Sequence, residues 1–259
     1  MAGPTIAFIC PTCGHFDYAI KAIRSFLKYT PDPRAIIVDD ASPDWDDARW
    51  RAFVDSGRPH VSHHRFRENG GLTRSWNWGI RRAIDMGARY VVAGNSDILF
   101  CEGWYRGLVG ALESGYALAG PVSNAPGPTS RGKASITAYY PGFQLVDDIN
   151  YLNYVSGVLC RAYLGHHVET SINGFFQMAR ADVWWAGRYD DDHVYRPRNL
   201  MTGSEDELQA RWAALGRKAV VCPASFIFHY RSVTRGRDYL HGLWYRENLR
   251  IRPPRPHPR

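Results

Sequence analysis

Residues 90–100 read YVVAGNSDILF. The run from Tyr90 to Gly94 is apolar and of strand length, yet it stops at Asn95-Ser96-Asp97, with an acid among its last residues. A carboxylate beside a buried strand costs free energy unless a backbone donor, an arginine or a metal ion pairs with it. The chain on either side of this stretch shows which of these to expect.

Strand-like runs recur at 5–10 (TIAFIC), 34–40 (RAIIVDD), 61–66 (VSHHRF), 89–95 (RYVVAGN) and 116–122 (YALAGPV). Between them, FDYAIKAIRSFLKY places Ile20, Ile23, Phe26 and Leu27 on one helical face, and LTRSWNWGIRRAIDMG does the same with Leu72, Trp76, Ile80 and Ile84. This alternation predicts an α/β domain with a mostly parallel central sheet and helices on both faces. Ligands of such sheets bind outside the carboxyl ends of the strands. Three of those ends are polar: CPTCGHFD with Pro11 and Thr12, VDDASPD with Asp39 and Asp40, and GNSD with Asn95 and Asp97. They would converge on one edge, which puts Asp97 at the mouth of a site.

Beyond about residue 122 the pattern loosens into SNAPGPTSRGKAS, a Pro/Gly/Ser loop. A helical pattern near 147–165 follows, then a strand-like run at 174–187 (GFFQMARADVWWAG), a polar loop, a helix at 204–216 stopped by Gly216, and a last strand, KAVVCPASFIFHY. No repeat or linker divides the chain, so residues 1–240 are expected to form one domain, followed by a basic Pro/Arg-rich tail at 241–259.

The 259 residues, 45% hydrophobic and 14% aromatic, can fill a sizeable core. No window approaches the ~18 apolar residues of a membrane span, and MAGPTIAFICPTCG lacks the basic start and long apolar region of a secretion signal, so a cytoplasmic protein is expected. Five cysteines form an odd, sparse set that fits reduced thiols. The C-x-x-C of Cys10 and Cys13 starts at a strand end rather than a helix start and has no second ligand pair for zinc. The net charge of +7 collects in the last third of the chain and points to an anionic partner such as nucleotide phosphates, a membrane surface or nucleic acid; a solvated extension is the plainer reading of the tail.

Several residues read two ways. Asp39 or Asp40 can cap a helix opened by Ser42-Pro43-Asp44, or accept hydrogen bonds from a nucleobase. Near Asn69, Gly70-Gly71 makes a tight turn or lets backbone approach an anion at a helix start. Asn77 needs a partner inside its helix, between Trp76 and Trp78. Ser204 with Glu207 forms a capping box, which leaves Glu205 and Asp206 to face a cleft, one of them as a general base. His229 closes a strand; paired with Asp97 and completed by diphosphate oxygens and water, it would suit Mn²⁺ or Mg²⁺.

From about Thr5 to Thr234 the chain resembles glycosyltransferase family two, the inverting transferases of the GT-A fold. VDDAS at 38–42 is similar to the family's VDDGS, NGGLTRSWNWG at 69–79 to its N-x-G-x-x-x-A-R-N-x-G, and NSD at 95–97 stands at its D-x-D. CEGWYRGLVGAL resembles PGWLERLLAAL, SEDELQARWAALG resembles EDVDLCLRLRAAG, and FIFHYRSVT its closing histidine motif. The resemblance implies a nucleotide-diphosphate sugar donor bound on the half from about 1 to 122, through Pro11, Thr12, Asp39, Asp40, Asn69, Gly71, Asn77 and Asn95. It implies a divalent cation on Asp97 and His229, and a base at Asp206 or Glu205 for a hydroxyl acceptor, such as a glycan, on the half from about 123 to 240. A Ser204 cap would leave Asp206 deeper in the first turn, which tips the choice towards it. The chain departs from the pattern in Asn95, a poor anionic ligand, and in Trp76, where the family often has arginine. Trp184, Trp185, Tyr189 and Tyr195 could stack on a sugar ring or fill the core. The alternative function is nucleic-acid binding through the basic tail and the aromatics, including a DNA-modifying glycosyltransferase.

Overall fold

The structure is a computed structural model and describes residues 3–43, 45–57, 59–127, 132–197 and 204–230. Its first half follows the alternation in the sequence. Strands β1 (Thr5–Thr12), β2 (Asp32–Asp39), β3 (Val61–Arg65) and β4 (Tyr90–Gly94) run parallel in the order β3-β2-β1-β4. Helices α1 (Phe16–Tyr29), α2 (Asp47–Gly57) and α3 (Leu72–Asp85) make the crossovers. The carboxyl ends of β1, β2 and β4 therefore share one edge, as the polar strand ends required. α2 begins later than Ser42-Pro43-Asp44 suggested. Ala41 takes a left-handed φ of 58°, which turns the chain first, and the Asp46 carboxylate then caps the helix by accepting from the N–H groups of Ala48 and Arg49, both at 3.0 Å.

The second half makes the sheet mixed. It contributes β5 (Ile98–Phe100), α4 (Arg106–Glu113), β6 (Leu118–Val122), α5 (Ile149–Tyr163), β7 (Val168–Glu169), β8 (Phe176–Arg180), α6 (Ala181–Ala186), α7 (Ser204–Ala214) and β9 (Ala219–His229). β8 lies antiparallel between β4 and β6, β9 runs parallel to β6, and β5 and β7 pair antiparallel with β9. The strand-like run at 174–187 thus divides into β8 and α6. Arg180 sits opposite Tyr90, the first residue of β4, so the ladder has no further partner, and the chain turns into a helix that buries Trp184.

Each strand feeds two cores, because successive side chains leave opposite faces of the sheet. Ile6, Phe8 and Cys10 pack with Ile20, Ile23 and Phe26 of α1 and Leu108 of α4, whereas Ala7 and Ile9 pack with Trp76 and Ile80 of α3. The latter core also holds Leu152 of α5, Trp184 of α6 and Trp212 of α7. No helix among the described residues is long and apolar enough to cross a membrane.

The contact between α3 and β1 is close, and Gly79 permits it: a Cβ at that position would run into the Ile9 side chain. Alanine favours a helix over glycine by about 1 kcal/mol, but overpacking a rigid core costs about 1–3 kcal/mol. Gly79→Ala is therefore expected to lower unfolding stability by up to about 2 kcal/mol in urea titration; a stabilised variant would show that α3 packs less tightly than described.

Candidate active site

The two residues whose juxtaposition matters most are brought together. His229 Nε2 lies 3.3 Å from Asp97 Oδ1, with both side chains only 6% exposed. β5 and β9 create the contact by pairing Ile98 with His229, and the Tyr230 N–H donates to the Asp97 carbonyl at 2.9 Å. The imidazole is fixed from two further sides. Its Nδ1 stands 3.0 Å from the carbonyl of Ala125, and the Phe175 ring stacks on it with centroids 4.7 Å apart and planes 12° apart. A carbonyl only accepts, so in this contact Nδ1 is the donor, and Nε2 is the ring nitrogen that faces Asp97. That buried Nε2 has no hydrogen-bond partner among the described residues, a condition that suits a metal ligand.

Phe175 also links this pair to Asn95 and to α7. The Phe175 carbonyl accepts from the Asn95 N–H at 2.9 Å, while the half-buried Asn95 side-chain amide makes no hydrogen bond among the described residues. Next to Phe175, a Cβ on Gly174 would come within 2.8 Å of the Glu205 carboxyl carbon. Glu205 therefore lies against the segment that borders Asn95 and His229. Asp206 does not. It is exposed and lines a cavity of about 540 Å³ with Glu169, Thr170, Gln209, Ala213 and Lys218. The two acids that the sequence left as candidates therefore have different surroundings, Glu205 beside Gly174 and Asp206 at the outer cavity. Ser204 Oγ hydrogen-bonds Thr73 Oγ1 of α3 at 2.6 Å, and the Glu207 carboxylate accepts from Arg211 Nε at 2.9 Å.

On the nucleotide side the structure engages most of the expected ligands internally. Asp39 is fully buried and bonded to Ser42 and Arg65. Asp40 accepts from the N–H groups of Gly70 (3.0 Å) and Gly71 (2.6 Å) and pairs with Arg74. Asp40 thus holds the Gly70-Gly71 turn that leads into α3 and does not cap the helix that follows β2. Asn69 donates to the Asp40 carbonyl at 3.2 Å. Asn77 is committed to the main chain of 194–195: it accepts from the N–H groups of Val194 and Tyr195 and donates to the Tyr195 carbonyl at 2.9 Å. Pro11 and Thr12 are buried, and Thr12 Oγ1 donates to the Gly14 carbonyl at 2.8 Å. These residues shape two strained turns, in which His15 (φ 59°) and Ala41 (φ 58°) are left-handed without being glycine. Trp76, at the position where an arginine was expected, is buried and donates to the Gly94 carbonyl at 3.1 Å, steadying the end of β4.

The sequence model of glycosyl transferase family 2 matches residues 7–165. The chain belongs to that family. The match takes in the turns after β1, β2 and β4, and ends before Glu205 and His229. Among solved structures, this family 2 chain resembles GalNAc-T7 crystallised with UDP, GalNAc and Mn²⁺, with a TM-score of 0.63 and 11% identity over 87% of its own length. It spans 44% of that protein's chain, and the likeness establishes the GT-A fold. No curated protein sequence matches it.

Phe175, Gly174 and Arg65 went unrecognised in the sequence. Arg65 ends β3 beside VDD and could have been flagged as a cation at the shared edge; a phenylalanine inside an apolar run carries no such signal. Of the aromatic residues considered for sugar stacking, Trp184 and Tyr195 are core, while Tyr189 is exposed. The basic tail at 241–259 lies outside the described residues.

None of the five cysteines forms a disulfide. Burial pushes the Cys10, Cys101 and Cys222 thiols well up from their ordinary range, and the charge of Asp97 raises Cys10 further. Iodoacetamide at pH 8 should accordingly alkylate Cys13 and Cys160 in the folded protein and reach the other three only after denaturation, as read by peptide mass spectrometry. Modification of native Cys10 would contradict its placement.

Proposed function

We propose that this chain is an inverting, metal-dependent glycosyltransferase that moves a sugar from a nucleotide-diphosphate sugar to a hydroxyl acceptor. The observation that carries the reading is the buried approach of His229 Nε2 to Asp97 Oδ1, with Nδ1 already given to a carbonyl. One carboxylate and one imidazole fit a divalent cation such as Mn²⁺. No third His, Cys, Asp or Glu joins them among the described residues, which leaves further positions to diphosphate oxygens and water. The co-crystallisation of the GT-A relative GalNAc-T7 with UDP and Mn²⁺ supports the same donor and metal class. When bound, the cation would offset the charge that gathers on the departing nucleoside diphosphate.

The chain's own residues would do the rest. Asp39 and Asp40 hold the turns that frame the nucleotide, since their carboxylates are engaged by Arg65, Arg74 and backbone N–H groups. Asn95, with its free amide, would hold a ribose or sugar hydroxyl. Glu205 would take the proton from the acceptor oxygen as that oxygen attacks the anomeric carbon from the side opposite the leaving diphosphate, which inverts the centre.

A thermal-shift screen of nucleoside diphosphates with and without Mn²⁺ tests the donor and metal together; the absence of any metal-dependent shift would sink the proposal. Among variants, Glu205→Gln is expected to lower kcat by about 10²–10⁴ while leaving donor binding intact. Asp206→Asn should stay near wild type, and the opposite ranking would return the base to Asp206. Asp97→Ala and His229→Ala should each sharply reduce the Mn²⁺-dependent shift.

A further inference from the structure

We propose that Asn124 is the positioning residue for His229: its side-chain amide replaces a missing strand and, with the neighbouring Ala125 carbonyl, fixes both the place and the tautomer of the imidazole that faces Asp97. The proposal rests on His229 as a metal ligand.

The argument starts from β9. On one side β6 accompanies it as far as Val122 opposite Phe226, with a register shift just before that pair. Ser123 then leaves the strand: its N–H donates to the Ala134 carbonyl and its carbonyl accepts from Ile136 N, both at 2.9 Å. The last three residues of β9 have lost that neighbour. On the other side β5 is paired with Ile98 opposite His229, and the bond from Tyr230 N to the Asp97 carbonyl identifies this as a non-hydrogen-bonded pair. In such a pair the main-chain N–H and C=O of both residues point away from the partner strand. Those of His229 therefore face the side that β6 has vacated, in a residue that is only 5% exposed.

Asn124 satisfies both. Its Nδ2 donates to the His229 carbonyl at 2.9 Å and its Oδ1 accepts from the His229 N–H at 2.8 Å. Two complementary bonds leave the amide one orientation only. Ser123 Oγ accepts from Ala125 N at 3.2 Å and holds the turn that presents the Ala125 carbonyl to Nδ1. One short loop thus sets the backbone of the metal-facing histidine and decides which ring nitrogen is bare. Aspartate at position 124 would keep the acceptor but lose the donor, and alanine would lose both.

The test uses the full chain and Mn²⁺ alone, titrated by electron paramagnetic resonance, with nitrogen NMR of the histidine rings beside it. Asn124→Ala should weaken Mn²⁺ binding by about tenfold or more and leave His229 no longer a pure Nδ1–H tautomer. Asn124→Asp, closest in shape, should produce a smaller loss in the same direction and gives the result if the alanine variant fails to fold. Ile80→Ala, destabilised in the core, should keep wild-type affinity, which separates positioning from general loosening. In a His229→Ala background, Asn124→Ala should add less than about twofold, because the two act on one ligand. Wild-type affinity and tautomer in folded Asn124 variants, or an equal loss in the His229→Ala background, would overturn the proposal. Unchanged affinity in His229→Ala alone would remove the metal reading itself.

Discussion

A carboxylate buried at the end of a parallel strand has to be compensated, and here the compensation comes from the far end of the described chain. β4 delivers Asp97 to the sheet edge, and β9 returns across the sheet to place His229 beside it. That meeting requires the second half of the domain to be antiparallel in part, since β5 must double back on β9 directly after the NSD turn. The mixed sheet is therefore the means by which distant donors reach one point. The imidazole and the carboxylate meet with both side chains almost wholly withdrawn from water, where each interaction between them is stronger than at the surface.

The two aspartates after β2 solve a related problem differently. Asp39 and Asp40 are adjacent and both almost fully buried, so their mutual repulsion and desolvation must be met locally. Arg65 from β3 meets one, and Arg74 with the N–H groups of the Gly70-Gly71 turn before α3 meets the other. Buried ion pairs of this kind add little net stability over an apolar core, but losing one partner is costly. Their effect is geometric: three strand ends and one helix start are locked to one another, and the left-handed Ala41 is held between them. Strain at such a position survives only where its surroundings determine it completely.

Much of this was legible in the sequence, for reasons that differ by residue. The parallel half could be read because long amphipathic helices such as 16–29 and 72–85 repeat a strong period between apolar strands. Asp97 and His229 stood out as polar residues closing apolar runs. β5, three residues long, has too few positions to show any period, and the division of 174–187 depends on where β4 begins, which is a tertiary fact. Asn77 signalled correctly that it had a partner, but an amide gives no indication whether that partner is a ligand or, as here, the backbone of 194–195.

The choice between Glu205 and Asp206 shows the same limit most sharply. Successive residues on a helix point about 100° apart, so two adjacent acids leave the helix in different directions. Which of them faces a given site depends on how the helix is rotated, and the rotation of α7 is set by contacts outside it. Thr73 grips Ser204 at its start. One turn later Gln209 takes both the N–H and the carbonyl of Ile172, at 2.8 and 2.9 Å. Residues 205 and 209 share a face by the i, i+4 rule; with Gln209 clamped on Ile172 at the edge of the outer cavity, Glu205 lies by Gly174, while Asp206 and Ala213 line the cavity itself. A helix cap argued from local sequence could not decide this, because the deciding hydrogen bonds join α7 to a segment more than thirty residues before it.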